Sequence, residues 1–303
     1  MGIDLVMSDA RPYGQAPPGY RLPDATHVGA VRLQVADLDR SMAFYSGVLG
    51  LRVAGSDGAV VQLAAHGDDR VLVALHEQPG VAPVPRPGRL GLFHFALLVP
   101  DRPALGRFVA HIAERGVYAG SADHAVSEAI YLSDPDGLGI EVYADRPRQS
   151  WRSAGRELYM TTEPLDLRDL IRAGASAPWT GLPAGTTMGH VHLHVGALAA
   201  AAAFYHAALG LDQVVWSYPG ALFLSAGGYH HHLGTNTWAA GASPARADEA
   251  RLLEWALVLP TRDDVDAAAH SLAASGVVAS REGDDVVARD PWGTTVRLRP
   301  ARP

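Results

Sequence analysis

The chain has 303 residues, of which 48% are hydrophobic and 19% are charged, and its formal net charge is −7. This length suits two globular domains of about 100 to 150 residues. The negative charge and the lack of a Lys/Arg-rich stretch argue against nucleic acid as a partner. No apolar run is long enough to span a bilayer, and the opening segment, Met1 to Pro23, lacks a signal-peptide core. We therefore expect no membrane contact and a cytoplasmic location.

The residue types available for binding a metal are restricted. The chain contains no cysteine, so disulfides are excluded and a metal would have to be held by histidine and carboxylate side chains. Fourteen histidines make such a site feasible.

An internal repeat organises the chain. A strand pattern and an amphipathic helix pattern with a glycine stop, over residues 35–51, recur 160 residues later at 195–211. A second pair of copies shares the turns Asp134-Pro-Asp-Gly137 and Asp290-Pro-Trp-Gly293. The repeat predicts an α+β fold of four strand-helix-strand-strand-strand modules. Modules one to four are predicted at residues 27–80, 90–145, 188–242 and 250–300.

A third stretch, from His124 to Glu141, places three chemically competent side chains close together in sequence. Residues 129–133 are predicted as a strand, the Asp-Pro-Asp-Gly sequence as a tight turn, and residues 139–143 as the returning strand. Because side chains alternate faces along a strand, Tyr131 and Glu141 can both point inward, with His124 on the approach.

This spacing resembles the signature of the extradiol ring-cleaving dioxygenases, within the vicinal oxygen chelate superfamily that includes glyoxalase I and the bleomycin-resistance proteins. The pattern runs His124, five residues, an aliphatic residue, Tyr131, two residues, Asp-Pro-x-Gly, three residues and Glu141. The resemblance implies two half-open barrel domains, here 27–145 and 188–300, joined by a connector at 146–187. It implies an Fe(II)-dependent enzyme, similar to catechol 2,3-dioxygenases, that opens the ring of catechol or a substituted catechol with O2.

In this family the first strand of a module can carry a metal ligand five residues before its closing aliphatic position. Modules two and three have His94 and His190 there, whereas modules one and four have Ala30 and Glu254. Modules two and three are therefore predicted to hold the metal. They are then expected to share a barrel, within one chain or between two, which leaves modules one and four to pair with each other.

The carboxylate position completes the predicted ligand set. Module two has Glu141 there, and module four has Arg297. Two imidazoles and one carboxylate, from His94, His190 and Glu141, form the ligand set of non-heme Fe(II) oxygenases, which also suits Mn(II). In the other barrel we predict an ion pair between Glu254 and Arg297.

The remaining catalytic assignments follow the resemblance. The sequence His230-His231-His232-Leu233 is predicted as part of a late strand, in which His231 would be the acid/base and would point away from its neighbours. His124 and Tyr131 match the pair that contacts the substrate, although Tyr131 could equally be a core aromatic residue. His192 and His194 are predicted either to line the pocket or to form a polar stripe on an open strand.

Three other functions stay open at this point: hydroquinone cleavage, a glyoxalase-type isomerase, which needs a fourth protein ligand, and metal-free binding of an aromatic compound. We also expect a homo-oligomer. Six histidines fit no pattern and are predicted at the surface: His27, His66, His76, His111, His206 and His270.

Overall fold

The computed structural model describes residues 13–302, so the first twelve residues of the opening segment considered above lie outside the described part. The helices are α1 (Leu38–Gly47), α2 (Arg102–Glu114), α3 (Leu167–Gly174), α4 (Leu198–Ala201), which continues as a π-helix (Ala202–Ala208), and α5 (Arg262–Ala274). The strands are β1 (His27–Val35), β2 (Arg52–Asp57), β3 (Val60–Ala64), β4 (Val71–Glu77), β5 (Gly91–Leu98), β6 (Gly120–Asp123), β7 (Ser127–Ser133), β8 (Gly139–Asp145), β9 (Ser153–Ala154), β10 (Glu157–Leu158), β11 (Thr187–His194), β12 (Asp212–Val215), β13 (Ala221–Ser225), β14 (Leu233–Asn236), β15 (Arg251–Leu259), β16 (Ala279–Glu282), β17 (Asp285–Arg289) and β18 (Thr295–Pro300).

Over residues 13–302 the strands form two eight-stranded sheets and a small hairpin of β9 and β10. One sheet has the order β12-β13-β14-β11-β5-β8-β7-β6, and the other has the order β16-β17-β18-β15-β1-β4-β3-β2. The first sheet therefore joins modules two and three within one chain, and the second joins modules one and four. The predicted pairing of modules is confirmed. Each sheet contains one module from residues 27–145 and one from residues 188–300. The division of the chain into those two domains stays a prediction.

The helices begin where their capping residues place them. The Asp101 side chain accepts a hydrogen bond from the Ala104 backbone N–H at the start of α2, and Pro103 occupies the first turn, where its missing N–H costs nothing. At the start of α5, Thr261 and Asp264 form a reciprocal capping box. Both helices then bury one apolar face against the sheets.

Two tyrosines, on helical segments of modules one and three, bind the turns of modules two and four. The hydroxyl of Tyr45 on α1 donates to Asp134 Oδ2 at 3.1 Å, and the hydroxyl of Tyr205 in the π-helix donates to Asp290 Oδ2 at 2.9 Å. All four side chains are buried. The repeat seen in the sequence thus holds module one to module two, and module three to module four, through the same contact.

Five of the six histidines that were predicted at the surface are exposed or half-buried. His27, His66 and His270 are exposed, and His76 and His111 are half-buried.

The prediction was wrong for His206, which is buried. Its Nδ1 lies 2.7 Å from the carbonyl oxygen of Leu211, so the ring is held against the backbone that follows the π-helix.

Among residues 13–302, the helices are all too short or too polar to pass through a bilayer.

Candidate metal centre and active site

Three buried side chains converge in the sheet formed by modules two and three. His94 Nε2 and His190 Nε2 each lie 3.0 Å from the same carboxylate oxygen, Oε2 of Glu141, and 3.4 Å from each other. The three residues are at most 5% exposed, and their donor atoms all lie within 4.8 Å of one another. The structure thus brings together the set that was predicted from the sequence.

Strand register explains the convergence. Ala96 on β5 pairs with Glu141 on β8 on one side and with His190 on β11 on the other. Paired residues point to the same face of a sheet, as does His94, two residues before Ala96. Because alanine is small, the space above Ala96 is open to all three longer side chains.

The protonation states suit metal ligands. Burial lowers the pKa of His94 and of His190, so both imidazoles are neutral near pH 7. Burial alone would raise the pKa of Glu141, but its electrostatic interactions and hydrogen bonds with His190 and His94 outweigh burial and hold that pKa well below its usual range. Two neutral imidazoles and a carboxylate are the form in which these groups bind a metal. This set could hold a divalent transition metal ion.

A glycine allows close packing next to the group. A Cβ atom on Gly189 would lie 1.8 Å from the hydroxyl oxygen of Tyr143, so only glycine fits immediately before His190. The Tyr143 hydroxyl lies 2.7 Å from that of Tyr229, which also donates to Asp145 at 3.2 Å. Burial raises the pKa of Tyr143 and of Tyr229 well above the usual value, so both stay neutral.

His124 and Tyr131 form a hydrogen-bonded pair beside Glu141. Tyr131 Oη lies 2.6 Å from His124 Nε2, and His124 Nδ1 lies 2.6 Å from the carbonyl oxygen of Thr161. A carbonyl can only accept, so Nδ1 carries the proton and, in the neutral imidazole, Nε2 accepts from the Tyr131 hydroxyl. Burial, and then the nearby charge of Glu141, raises the pKa of Tyr131 well above its usual value. Tyr131 is therefore a protonated donor.

Thr161 belongs to the predicted connector, and sequence reasoning missed its part in the site. The connector is held there by a short antiparallel bridge between Asp123 and Glu163, with backbone hydrogen bonds of 2.9 Å in both directions.

The prediction that His230, His231 and His232 lie in a late strand was wrong. They occupy the loop between β13 and β14, and the strand begins only at Leu233. Gly227 and Gly228 both have positive φ, 61° and 63°, which bends the chain out of the sheet before the histidines. Strand alternation therefore does not apply: His231 does not point away from His230 but lies with its Nδ1 2.8 Å from that of His230.

The tautomer of His231 can be worked out from its neighbours. His230 Nε2 lies 3.0 Å from Asp145 Oδ1, a pure acceptor when ionised, so His230 donates there and accepts at Nδ1. His231 then donates through Nδ1, which leaves its Nε2 with a lone pair. Burial, followed by the neighbouring His190 and His230, lowers the pKa of His231 well below its usual value. Its ring packs 4.0 Å from that of His190, centroid to centroid, so a neutral base stands beside the predicted metal ligands.

His192 and His194 are buried, which excludes a polar stripe on an open strand. His194 Nδ1 lies 2.7 Å from Asn236 Oδ1. His192 packs among aromatic rings that include those of Phe93 and Trp238, and its Nε2 has no hydrogen-bond partner within residues 13–302. Both residues form one wall of the site.

A cleft of about 750 Å³ opens next to this wall. Its lining comes from the connector at residues 157–162, from the loop between β12 and β13, and from Trp238. Sequence reasoning did not find it, because neither the connector nor this loop carries a recognisable motif.

Paired βαβββ modules that form two curled sheets are the fold of the vicinal oxygen chelate class of proteins. The chain belongs to the Glyoxalase/Bleomycin resistance protein/Dioxygenase superfamily, which matches it over residues 26–142 and 187–298. The family recognised from the sequence is therefore confirmed, and so is the fold class.

The chain is also similar to individual proteins. The chain is 42% identical over 270 residues to a protein named catechol-2,3-dioxygenase from Bacillus subtilis (strain 168), a match that covers 88% of this chain and 94% of that protein. Among solved structures, a putative dioxygenase from Bacillus subtilis subsp. subtilis str. 168 has a TM-score of 0.64 at 14% identity, covering 94% of this chain and 87% of its own. Glyoxalase I from Zea mays has a TM-score of 0.53 at 17% identity, covering 90% and 92%. These two structural likenesses concern the fold alone.

Proposed function

We propose that the protein is an Fe(II)-dependent extradiol dioxygenase, which cleaves the aromatic ring of catechol or a substituted catechol with O2 to a muconic semialdehyde-type product. The observation that carries this proposal is the buried group of His94, Glu141 and His190, with three donor atoms around one point. The similarity to a protein named catechol-2,3-dioxygenase over most of both chains supports it.

His94, Glu141 and His190 would hold the metal. Fe(II) fits two imidazoles and one carboxylate, and Mn(II) fits the same set. When bound, such an ion supplies open positions for the two diol oxygens and for O2, so that electrons can pass from the diol to oxygen. Because Glu141 is ionised, it offsets part of the charge of the cation in this buried setting.

The protein's own side chains position the diol and move protons. Tyr131 stays protonated and gives its one proton to His124, which fixes the direction of the hydroxyl and leaves the Tyr131 oxygen to accept a hydrogen bond from a diol hydroxyl. His231, neutral and with a lone pair on Nε2, can accept a proton from the second hydroxyl and return it to the product oxygen. The rings of Phe93, His192 and Trp238 pack together on one side of this step.

A glyoxalase-type isomerase would need a fourth protein ligand. On β14, Gly234 pairs with His192, just as Glu141 on β8 pairs with Ala96, so Gly234 occupies the position that corresponds to Glu141. A Cβ atom there would lie 2.9 Å from the His192 ring, so this histidine fills the space a ligand would need. This observation favours the dioxygenase over the isomerase. Nothing in the site favours a metal-free binding protein, because such a protein needs no buried carboxylate between two histidines.

The test is anaerobic loading with Fe(II), followed by addition of catechol and then of air. The proposal predicts oxygen uptake and a yellow ring-opened product, and a Glu141→Ala protein treated in the same way should give neither. A loaded protein that consumes no oxygen with catechol, substituted catechols or hydroquinones would overturn it. The cytoplasmic location and the homo-oligomer stay predictions, which fractionation of cells and light scattering would check.

A further inference from the structure

Two residues in the wall of the cleft contact side chains of the candidate site. Thr161 lies in its wall, and the carbonyl oxygen of Thr161 holds His124. Trp238, which also lines the cleft, packs with its ring centroid 5.7 Å from that of His192. The cleft is therefore the space next to the site that could take the substituents of a bound ring.

The cleft has much more room than a bare catechol ring needs. Its volume of about 750 Å³ lies within the range of roughly 300 to 1,000 Å³ that is usual for pockets that take drug-sized ligands. Its wall combines apolar side chains, such as Leu158 and Met160, with uncharged polar ones, such as Thr161, Thr162 and Ser217. A catechol with a bulky substituent fills this space better than catechol alone.

Among the described residues, the lining of the cleft includes an acidic side chain but no basic one. The chain contains no lysine, and none of the described residues that line the cleft is an arginine. Its one acidic residue is Glu157, whose Oε2 accepts hydrogen bonds from the Ser217 backbone N–H at 3.1 Å and the Ser217 hydroxyl at 2.7 Å. The exposed Arg152 lies on the ring of Tyr159, 5.1 Å from its centroid, outside the lining.

Resting on the proposed function, we infer that the substrate is a catechol with a neutral substituent, and that the cleft discriminates against diols with a carboxylate substituent. A carboxylate in the cleft would lose water against Leu158 and Met160 without gaining a cation. It would also face the like charge of Glu157, and juxtaposed like charges reduce the affinity for the wrong ligand. Size and charge thus point to the same substrate class.

The first experiment uses the wild-type protein and two diols of the same shape. 3,4-Dihydroxyphenylacetamide and 3,4-dihydroxyphenylacetate are almost the same shape, but the second carries a negative charge that the first lacks. We expect kcat/KM of the Fe(II)-loaded protein to be at least about tenfold higher for the amide. Equal values, or a preference for the acid, would overturn the inference while leaving the dioxygenase proposal intact.

Binding separates this inference from the proposed function. If no diol is turned over, the proposed function fails, yet the dissociation constants of the two diols, measured without oxygen on the metal-loaded protein, still report the charge selection. A tighter amide by about tenfold supports the inference, and equal binding overturns it.

A variant in the lining of the cleft tests whether the cleft causes the preference for the amide. Glu157→Gln removes the negative charge but keeps an acceptor for Ser217, so the preference for the amide should fall several-fold. Glu114→Gln makes the same chemical change on the exposed end of α2 and should leave the preference as it is. A preference unchanged by Glu157→Gln would overturn the part of the discrimination that is assigned to the charge of Glu157.

Discussion

Glu254 and Arg297 form a bidentate ion pair across neighbouring strands of the second sheet. Arg297 Nε donates to Glu254 Oε1 and Arg297 Nη2 donates to Glu254 Oε2, each at 2.9 Å. The two residues hold the positions that His94 and Glu141 hold in the first sheet, and the pair was predicted from that correspondence. Burial alone would raise the pKa of Glu254, but its contacts with Arg297 outweigh it and the pKa is lowered, so the carboxylate is ionised.

Breaking this pair should destabilise the fold without affecting metal binding. Both side chains are only 13% exposed, and Arg297 also contacts Glu282 and Asp285, so its loss leaves three acidic groups with weaker compensation. We expect Arg297→Met to lower the free energy of unfolding by about 3 kcal/mol, as for other largely buried pairs. Urea denaturation measures this.

The control for Arg297→Met is Arg246→Met, which breaks the exposed pair with Asp248 and should leave the unfolding midpoint almost unchanged. Equal stability of Arg297→Met and wild type would contradict the assigned role of the pair.

Most of the first sheet could be predicted from the sequence because short stretches of residues determine its strands and turns. The period of two along β7 and β8, and the turn at Asp134, place Tyr131 and Glu141 on one face without reference to the rest of the chain. The repeat then placed His94 and His190 by comparison of modules.

The parts that were missed depend on contacts between distant segments. The three histidines before Leu233 read as a strand because the sequence does not show that Gly227 turns the chain out of the sheet. His206 is buried because its ring contacts the carbonyl oxygen of Leu211, which lies beyond a π-helix. The spacing of hydrophobic residues in the sequence does not indicate that this helix is of the π type. Thr161 reaches His124 only because the connector pairs with the end of β6, which no motif announces.

The close packing before His190 gives a second prediction. We expect Gly189→Ala to lower the free energy of unfolding by about 2 to 3 kcal/mol, because the added methyl group overlaps Tyr143 and must displace buried side chains. It should also weaken metal binding by shifting His190. Gly241→Ala, where a Cβ atom meets nothing within 4 Å, is the matched control. Thermal unfolding of both variants that shows no difference between them would count against the packing.

A third prediction concerns pH. Burial raises the pKa of Asp134 to about 6, against about 3.9 in an unfolded chain. The folded state therefore favours the protonated acid, and this contribution is full below pH 4 and is lost as the pH rises through 6. Two pKa units correspond to about 3 kcal/mol.

Asp134→Asn mimics the protonated acid, since its amide oxygen can still accept from the backbone N–H groups of Asp136 and Leu138. The stability of the variant relative to wild type should rise by about 3 kcal/mol between pH 4 and pH 7.5 in urea titrations. A difference that does not change with pH would refute the shift.

The fourth prediction tests the proposed acid/base. His231→Ala should keep its iron, because His231 lies beside His190 and is not part of the ligand set, but its turnover of catechol should fall by about two to four orders of magnitude. His270→Ala changes an exposed histidine on α5 and should behave as wild type. Iron content and oxygen uptake are measured on both, and near-normal turnover by His231→Ala would remove the assignment.

The central claim is that His94, Glu141 and His190 hold one metal ion. The most direct measurement is anomalous diffraction from crystals loaded with Fe(II) without oxygen. We predict a single strong peak bonded to His94 Nε2, His190 Nε2 and one oxygen of Glu141, each at about 2.0 to 2.3 Å. A peak elsewhere in the chain, or crystals that take up no iron while Glu141 stays hydrogen-bonded to both histidines, would contradict the account.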